Sequence, residues 1–119
     1  KEIFKHRWHL FFSAFIEALF ANEEYQKIIN VCKKNNLVQK EKQYIQEAKY
    51  LPTIYWYTLM ANFMENSITE QKLVDELTIS GKNLIKHQYK KIKIQELVDQ
   101  LRPTNPSVFR TLLSNLEIN

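Results

Sequence analysis

An all-α fold follows from three observations on this 119-residue sequence. It holds one glycine and three prolines, few of the residues that let strands reverse through tight turns. Its apolar residues recur three and four positions apart, not at alternate positions. The recurrences are punctuated by Asn, Ser-Ile-Thr-Glu and Asn-Pro sequences of the kind that start and stop helices. Six to seven helices with short connections should pack as antiparallel neighbours, either as an array of helical hairpins or as an irregular bundle. Hydrophobic residues make up 45% and charged residues 25% of the chain, ordinary for a globular protein, and the length suits a single domain.

The first helix is expected over residues 1–21, where Phe4, Trp8, Phe11, Phe12, Phe15, Ile16 and Leu19 form a wide aromatic stripe. Asn22 before Glu23 and Glu24 reads as the N-cap of a second helix, since the orphan N–H groups and the helix dipole favour it. That helix runs to about Lys34 with Tyr25, Ile28, Ile29 and Cys32 on one face, and Asn35-Asn36 stops it. Leu37, Val38, Tyr44, Ile45 and Ala48 line a third helix. Proline disfavours helical backbone at Leu51, so a fourth helix starts at Pro52 as its first residue and runs to about Glu65. Its apolar and aromatic residues point in nearly every direction, which marks an element surrounded by others.

Ser67 and Glu70 have capping-box spacing and open a fifth helix through Leu73, Val74 and Leu77, which Gly81 should end or kink. Lys82 to Leu101 reads as one or two further helices, closed by Pro103. Asn105-Pro106 then caps a last amphipathic helix, Ser107–Leu116, with Val108, Phe109, Leu112, Leu113 and Leu116 on its apolar side.

Little in the sequence points to catalysis. One glycine cannot build a phosphate-cradling loop, and no nucleophile elbow or paired-Cys metal motif is present. Glu2, His6 and His9 share one helix face at spacings a metal could use, but they crowd a helix terminus with Trp8 between them. A solvated polar face is the expectation, with no metal and no cofactor. Cys32, on an apolar face, reads as core. A lone Cys allows no internal disulfide and fits a reducing compartment. No apolar run is long enough for a membrane span and no signal peptide is visible, so a cytoplasmic protein is expected. The first residue, Lys1, suggests a fragment of a longer protein.

The net charge is +4 and unevenly placed. Lys82, Lys86, Lys90, Lys91 and Lys93 lie in a stretch without an acid between Glu76 and Glu96. Such a run could contact phosphates in a small phage or plasmid nucleic-acid-binding protein, although basic runs are more often solvated helix faces. Partner binding is the stronger expectation. The aromatic area of Phe4, Trp8, Phe11 and Phe15 at one end, with Phe109, Leu112 and Leu116 at the other, suggests exposed apolar surfaces for a partner. A peptide or small apolar ligand would be sought at Tyr55, Trp56, Met60 and Phe63 with Asn62 as the polar orienting group, against the alternative that these are plain core.

The segment Asn22-Glu-Glu-Tyr-Gln-Lys-Ile-Ile resembles the helix starts of tetratricopeptide-like hairpins, which stack to form concave binding surfaces. Residues 10–34, followed by Tyr50-Leu-Pro-Thr-Ile-Tyr-Trp-Tyr, resemble the helical regulatory region of Rgg/MutR-type transcription regulators of low-GC Gram-positive bacteria. What that resemblance implies is a C-terminal, tetratricopeptide-like domain that homodimerises and binds a signalling peptide, with DNA contacted only through a helix-turn-helix module preceding Lys1. A second regulatory reading is the ligand-binding half of a TetR-like repressor, enclosing a small apolar molecule and dimerising through residues 84–118.

Overall fold

Helices do form throughout, and their ends are set by turn geometry that the glycine count does not reveal. The computed structural model describes residues 2–48 and 50–118, with side chains over 7–45 and 50–118. Seven α-helices appear among the described residues: α1 Glu2–Ala21, α2 Tyr25–Lys34, α3 Leu37–Ala48, α4 Thr53–Met64, α5 Glu70–Lys86, α6 Lys91–Val98 and α7 Pro106–Asn115. A 3-10 turn, Asp99–Leu101, extends α6. No described helix is long and apolar enough to cross a membrane. The chain divides into two compact units, residues 1–67 and 68–119.

In the first unit α4 packs against α1, α2 and α3, most extensively against α2. Ile54, Trp56, Tyr57, Met60 and Ala61 are buried on it, together with Ile16, Leu19 and Phe20 of α1, Ile28 and Cys32 of α2, and Leu37 and Tyr44 of α3. The omnidirectional apolar pattern of α4 thus has the expected consequence of an element enclosed by neighbours.

Four helices end in the same way. After α1, Glu24 N–H donates to Leu19 O (2.9 Å) and Glu23 N–H to Phe20 O (3.0 Å), with Glu23 at φ 58°. The same paired bonds, 6→1 and 5→2, close α4 at Asn66, α5 at Gln88 and α7 at Glu117, each with positive φ. These are Schellman terminators, which usually place glycine at the left-handed residue. Here side-chain-bearing residues occupy all of them. Asn36, also left-handed at φ 52°, separates α2 from α3 as the Asn-Asn pair suggested. Asn22, by contrast, does not cap α2. Its side chain turns back to Ala18 O (2.9 Å) at the end of α1, and Glu24 takes the N-cap position.

In the second unit α7 packs against α5, α6 and the 3-10 turn. Leu73, Val74, Leu77 and Leu84 of α5 are buried, as are Ile94, Leu97, Val98 and Leu101, and Val108, Phe109, Leu112 and Leu116. The N-cap of α5 is Thr69, whose hydroxyl accepts from Lys72 N–H (3.1 Å), rather than Ser67. Asn105 and Pro106 take the N-cap and first positions of α7 as expected, although the Asn105 side chain makes no capping bond.

Gly81 does not end α5. The helix continues to Lys86, and the glycine leaves room for α7: a Cβ there would stand 2.7 Å from Leu116 Cδ2 and 2.9 Å from Cδ1. Alanine at 81 gains about 1 kcal/mol of helix propensity and meets an overpacking cost of about 1–3 kcal/mol. Gly81→Ala is expected to lower stability by up to about 2 kcal/mol in urea denaturation. In a Leu116→Ala background the same change should instead raise it by about 1 kcal/mol.

Candidate functional site

The most unusual local chemistry arises because Pro52 begins α4. A proline at the N-cap has no side-chain oxygen to accept from the first N–H groups of the helix, which are otherwise orphaned. A carboxylate from α3 takes that place. Glu41 Oε2 accepts from Ile54 N–H at 2.8 Å and Oε1 from Tyr55 N–H at 2.9 Å. These are the second and third helical positions, the ones a local Ser or Asp cap would serve. The negative charge also lies at the positive end of the α4 dipole. Glu41 is 1% exposed, so it is a remote cap buried within the unit.

His9 of α1 completes the group. Its Nε2 lies 2.6 Å from Glu41 Oε2, and because that oxygen accepts, Nε2 carries the hydrogen. The imidazole is buried among rings. Trp8 meets it edge-on with centroids 5.5 Å apart, and Tyr44 lies 5.0 Å away and Tyr50 6.2 Å away. Tyr44 and Tyr50 stack at 5.4 Å with an interplanar angle of 16°. Burial and the neighbouring Tyr50 push the Tyr44 hydroxyl above the usual phenol range. The rings exclude water from the His9–Glu41 contact, which strengthens it and makes loss of either partner costly.

His9, expected on a solvated polar face of α1, is instead buried. His9 faces Glu41, and the side chains of Glu2 and His6 lie outside the described residues. Among the described residues no group of three or more His, Cys, Asp or Glu side chains is placed to hold a metal. Glu41 carried a sequence signal that pattern reading overlooked. It stands four residues after Leu37 and three before Tyr44, within the apolar face of its helix.

Beside these rings lies an open cleft of about 370 Å³. Trp8, Phe12, Leu37 and Tyr44 form its apolar walls, and Asn35, Lys40 and Gln43 its polar ones. Trp8 touches Phe12 at 6.4 Å, Phe12 touches Phe11 at 5.2 Å, and Phe11 stacks on Phe15 at 6.2 Å. An aromatic string therefore leads from the cleft to the outer face of α1. There Leu10 is 63%, Phe11 64% and Phe15 40% exposed, with Ala14 and Ala18 also exposed.

The residues weighed as ligand contacts or as plain core lie apart from the cleft. Trp56 and Met60 are wholly buried, and Tyr55, Asn62 and Phe63 half-buried. None of the five lines the cleft. The Asn62 side-chain N–H donates to Thr58 O within its own helix (2.9 Å). Among the proposed partner contacts, Phe11 is exposed and Trp8 half-buried, while the Phe4 side chain lies outside the described residues. Phe109, Leu112 and Leu116 are not an exposed surface. They are 6%, 0% and 2% exposed because α7 turns that face into its own unit, with Leu116 against Gly81.

Lys86, Lys90, Lys91 and Lys93 are all exposed. Lys91 Nζ donates to Glu117 O at the end of α7 (3.0 Å), and Lys93 approaches Glu96 at 3.7 Å. Half of that set thus makes local contacts, and Tyr89 is half-buried. Cys32 is buried beside Thr58, and burial pushes its thiol up, away from the reactive thiolate.

The features together define a small helical protein with a water-excluded remote cap, an aromatic cleft and an exposed apolar helix face. Family models, curated proteins and solved structures yield no match to this chain.

Proposed function

We propose that the chain is a non-enzymatic protein- and peptide-binding and dimerisation domain, serving as the regulatory part of a bacterial transcription regulator in the way the resemblance implies. The observation that carries the reading is the outer face of α1, where Leu10, Phe11, Ala14, Phe15 and Ala18 are exposed together. A contiguous apolar face of this kind marks an interaction surface. Its two alanines allow a second helix to approach closely while the rings of Phe11 and Phe15 supply contact area, an arrangement suited to self-complementary pairing about a two-fold axis. The buried polar group supports a non-catalytic role, since both oxygens of Glu41 are engaged in holding α4 and His9. DNA would be contacted through a separate module.

Sedimentation equilibrium tests this. The chain is expected to dimerise, and Phe11→Asp, which places a charge in the exposed face without touching the core, should weaken dimerisation by at least about tenfold. A chain that stays monomeric at high concentration, or a Phe11→Asp variant that dimerises unchanged, would remove the reading.

A further inference from the structure

We propose that the cleft between α1 and the α2–α3 corner is a binding site for a small monoanionic amphiphile, a single carboxylate on an apolar body. The proposal goes beyond dimerisation and does not rest on it. Size comes first: about 370 Å³ is in the range of sites that take one small molecule. The walls come next. Trp8, Phe12, Leu37 and Tyr44 offer apolar surface to a ring or a short alkyl chain, whereas Lys40 is the one cation among the described lining residues.

Charge then decides the sign of the ligand. Between Tyr25 and Ile45 the only acid is Glu41, which is buried with both oxygens engaged. In the same stretch Lys33, Lys34, Lys40 and Lys42 are exposed, and none has an ion-pair partner among the described residues. Lys40 in the lining, with Lys33, Lys34 and Lys42 on the same stretch of chain, favours an anion over a cation there. Lys40, with the Gln43 amide beside it, can receive a carboxylate through charge-assisted hydrogen bonds. Asn35 donates its side-chain N–H to Val31 O (3.0 Å), which fixes its amide and turns no charge toward the cleft.

The two tryptophans make a direct test possible. Trp8 lines the cleft and Trp56 is wholly buried, so their indole N–H signals in proton–nitrogen correlation spectra are a reporter and an internal control. The full chain is titrated with indole-3-acetate and octanoate, and with the uncharged indole-3-acetamide and octanamide. One or both acids are expected to shift the Trp8 signal, saturating below about 1 mM, while the Trp56 signal stays in place and the amides bind at least about tenfold more weakly. Which acid binds distinguishes an aromatic from an aliphatic body. Lys40→Gln should weaken the acid about tenfold, and Lys42→Gln, which removes the same charge from α3 outside the cleft, less than about twofold. Amides that bind as well as acids, equal effects of the two lysine changes, or a Trp8 signal that moves only with a short acidic peptide would each overturn the proposal.

Discussion

Glu41→Ala is expected to destabilise the chain by about 3–5 kcal/mol, since each buried donor that loses its acceptor costs about 1–3 kcal/mol. The size follows from what the carboxylate holds. It accepts from Ile54 and Tyr55 N–H and from His9 Nε2, so its loss leaves three donors without acceptors in a site closed by Trp8, Tyr44 and Tyr50. Glu41→Gln keeps one acceptor oxygen but turns an NH₂ group toward a donor, so an intermediate loss is expected. Typical domain stabilities are about 5–15 kcal/mol, and the alanine change would consume much of that. Urea denaturation followed by circular dichroism gives the value.

A double mutant separates capping from mere packing. Pro52→Ser supplies a local hydroxyl able to accept from the α4 N–H groups, worth about 1 kcal/mol. If Glu41 acts as a remote cap, Glu41→Ala should cost measurably less in that background, a coupling that neighbouring sites show only when they share partners. A loss below about 1 kcal/mol for the single change, or strict additivity of the pair, would show that the cap is not what holds α4.

How much of this could be read beforehand differs from element to element. The all-helical class and most helix boundaries were legible because apolar periodicity reports on the face each helix buries. Scarce glycine does accompany an all-α fold here, but not through a scarcity of left-handed backbone. Left-handed positions are plentiful here, and Glu23, Asn36, Asn66, Gln88 and Glu117 occupy them while Gly81 does not. Glycine at 81 answers a tertiary demand, the approach of Leu116, which no local pattern encodes. The same limit explains the two misplaced caps. Asn22 and Ser67 both have good capping chemistry, but the Schellman bonds that end α1 and α4 shift the next helix start downstream to Tyr25 and Glu70.

The candidate site was legible only in part. On α1, Phe11 and Phe15 are exposed as the width of the aromatic stripe suggested, whereas Trp8 is half-buried and nothing in the stripe singled out Leu10, Ala14 or Ala18. The face of α7 could not be told from that of α1, since an amphipathic helix reads the same whether its stripe meets a neighbour in the same unit or a partner. Glu41 required knowing that α3 delivers a carboxylate to the start of α4, a contact across thirteen residues of chain. The proline at the head of α4 was the available hint, because a helix whose N-cap lacks a side-chain acceptor needs one from elsewhere.

Trp56→Ala should be about as costly as Glu41→Ala, at about 3–5 kcal/mol, for an unrelated reason. The indole is wholly buried on α4, the helix that packs against α1, α2 and α3. Truncation removes apolar contact and leaves a void that helices fixed on three sides cannot close. Trp56→Phe retains most of the volume and should cost much less, about 1–2 kcal/mol. Ile79→Ala, at a side chain 67% exposed, should stay within about 0.5 kcal/mol and serves as the surface control. The comparison also decides between the two roles considered for the aromatic helix. A Trp56 that lined a ligand pocket would already face open space, and its truncation would cost little in the free protein while abolishing binding. A Trp56 that is core loses stability first, as its complete burial requires. Urea midpoints for the three variants, read by circular dichroism, separate these outcomes, and a loss below about 1 kcal/mol for the alanine change would return α4 to the list of binding surfaces.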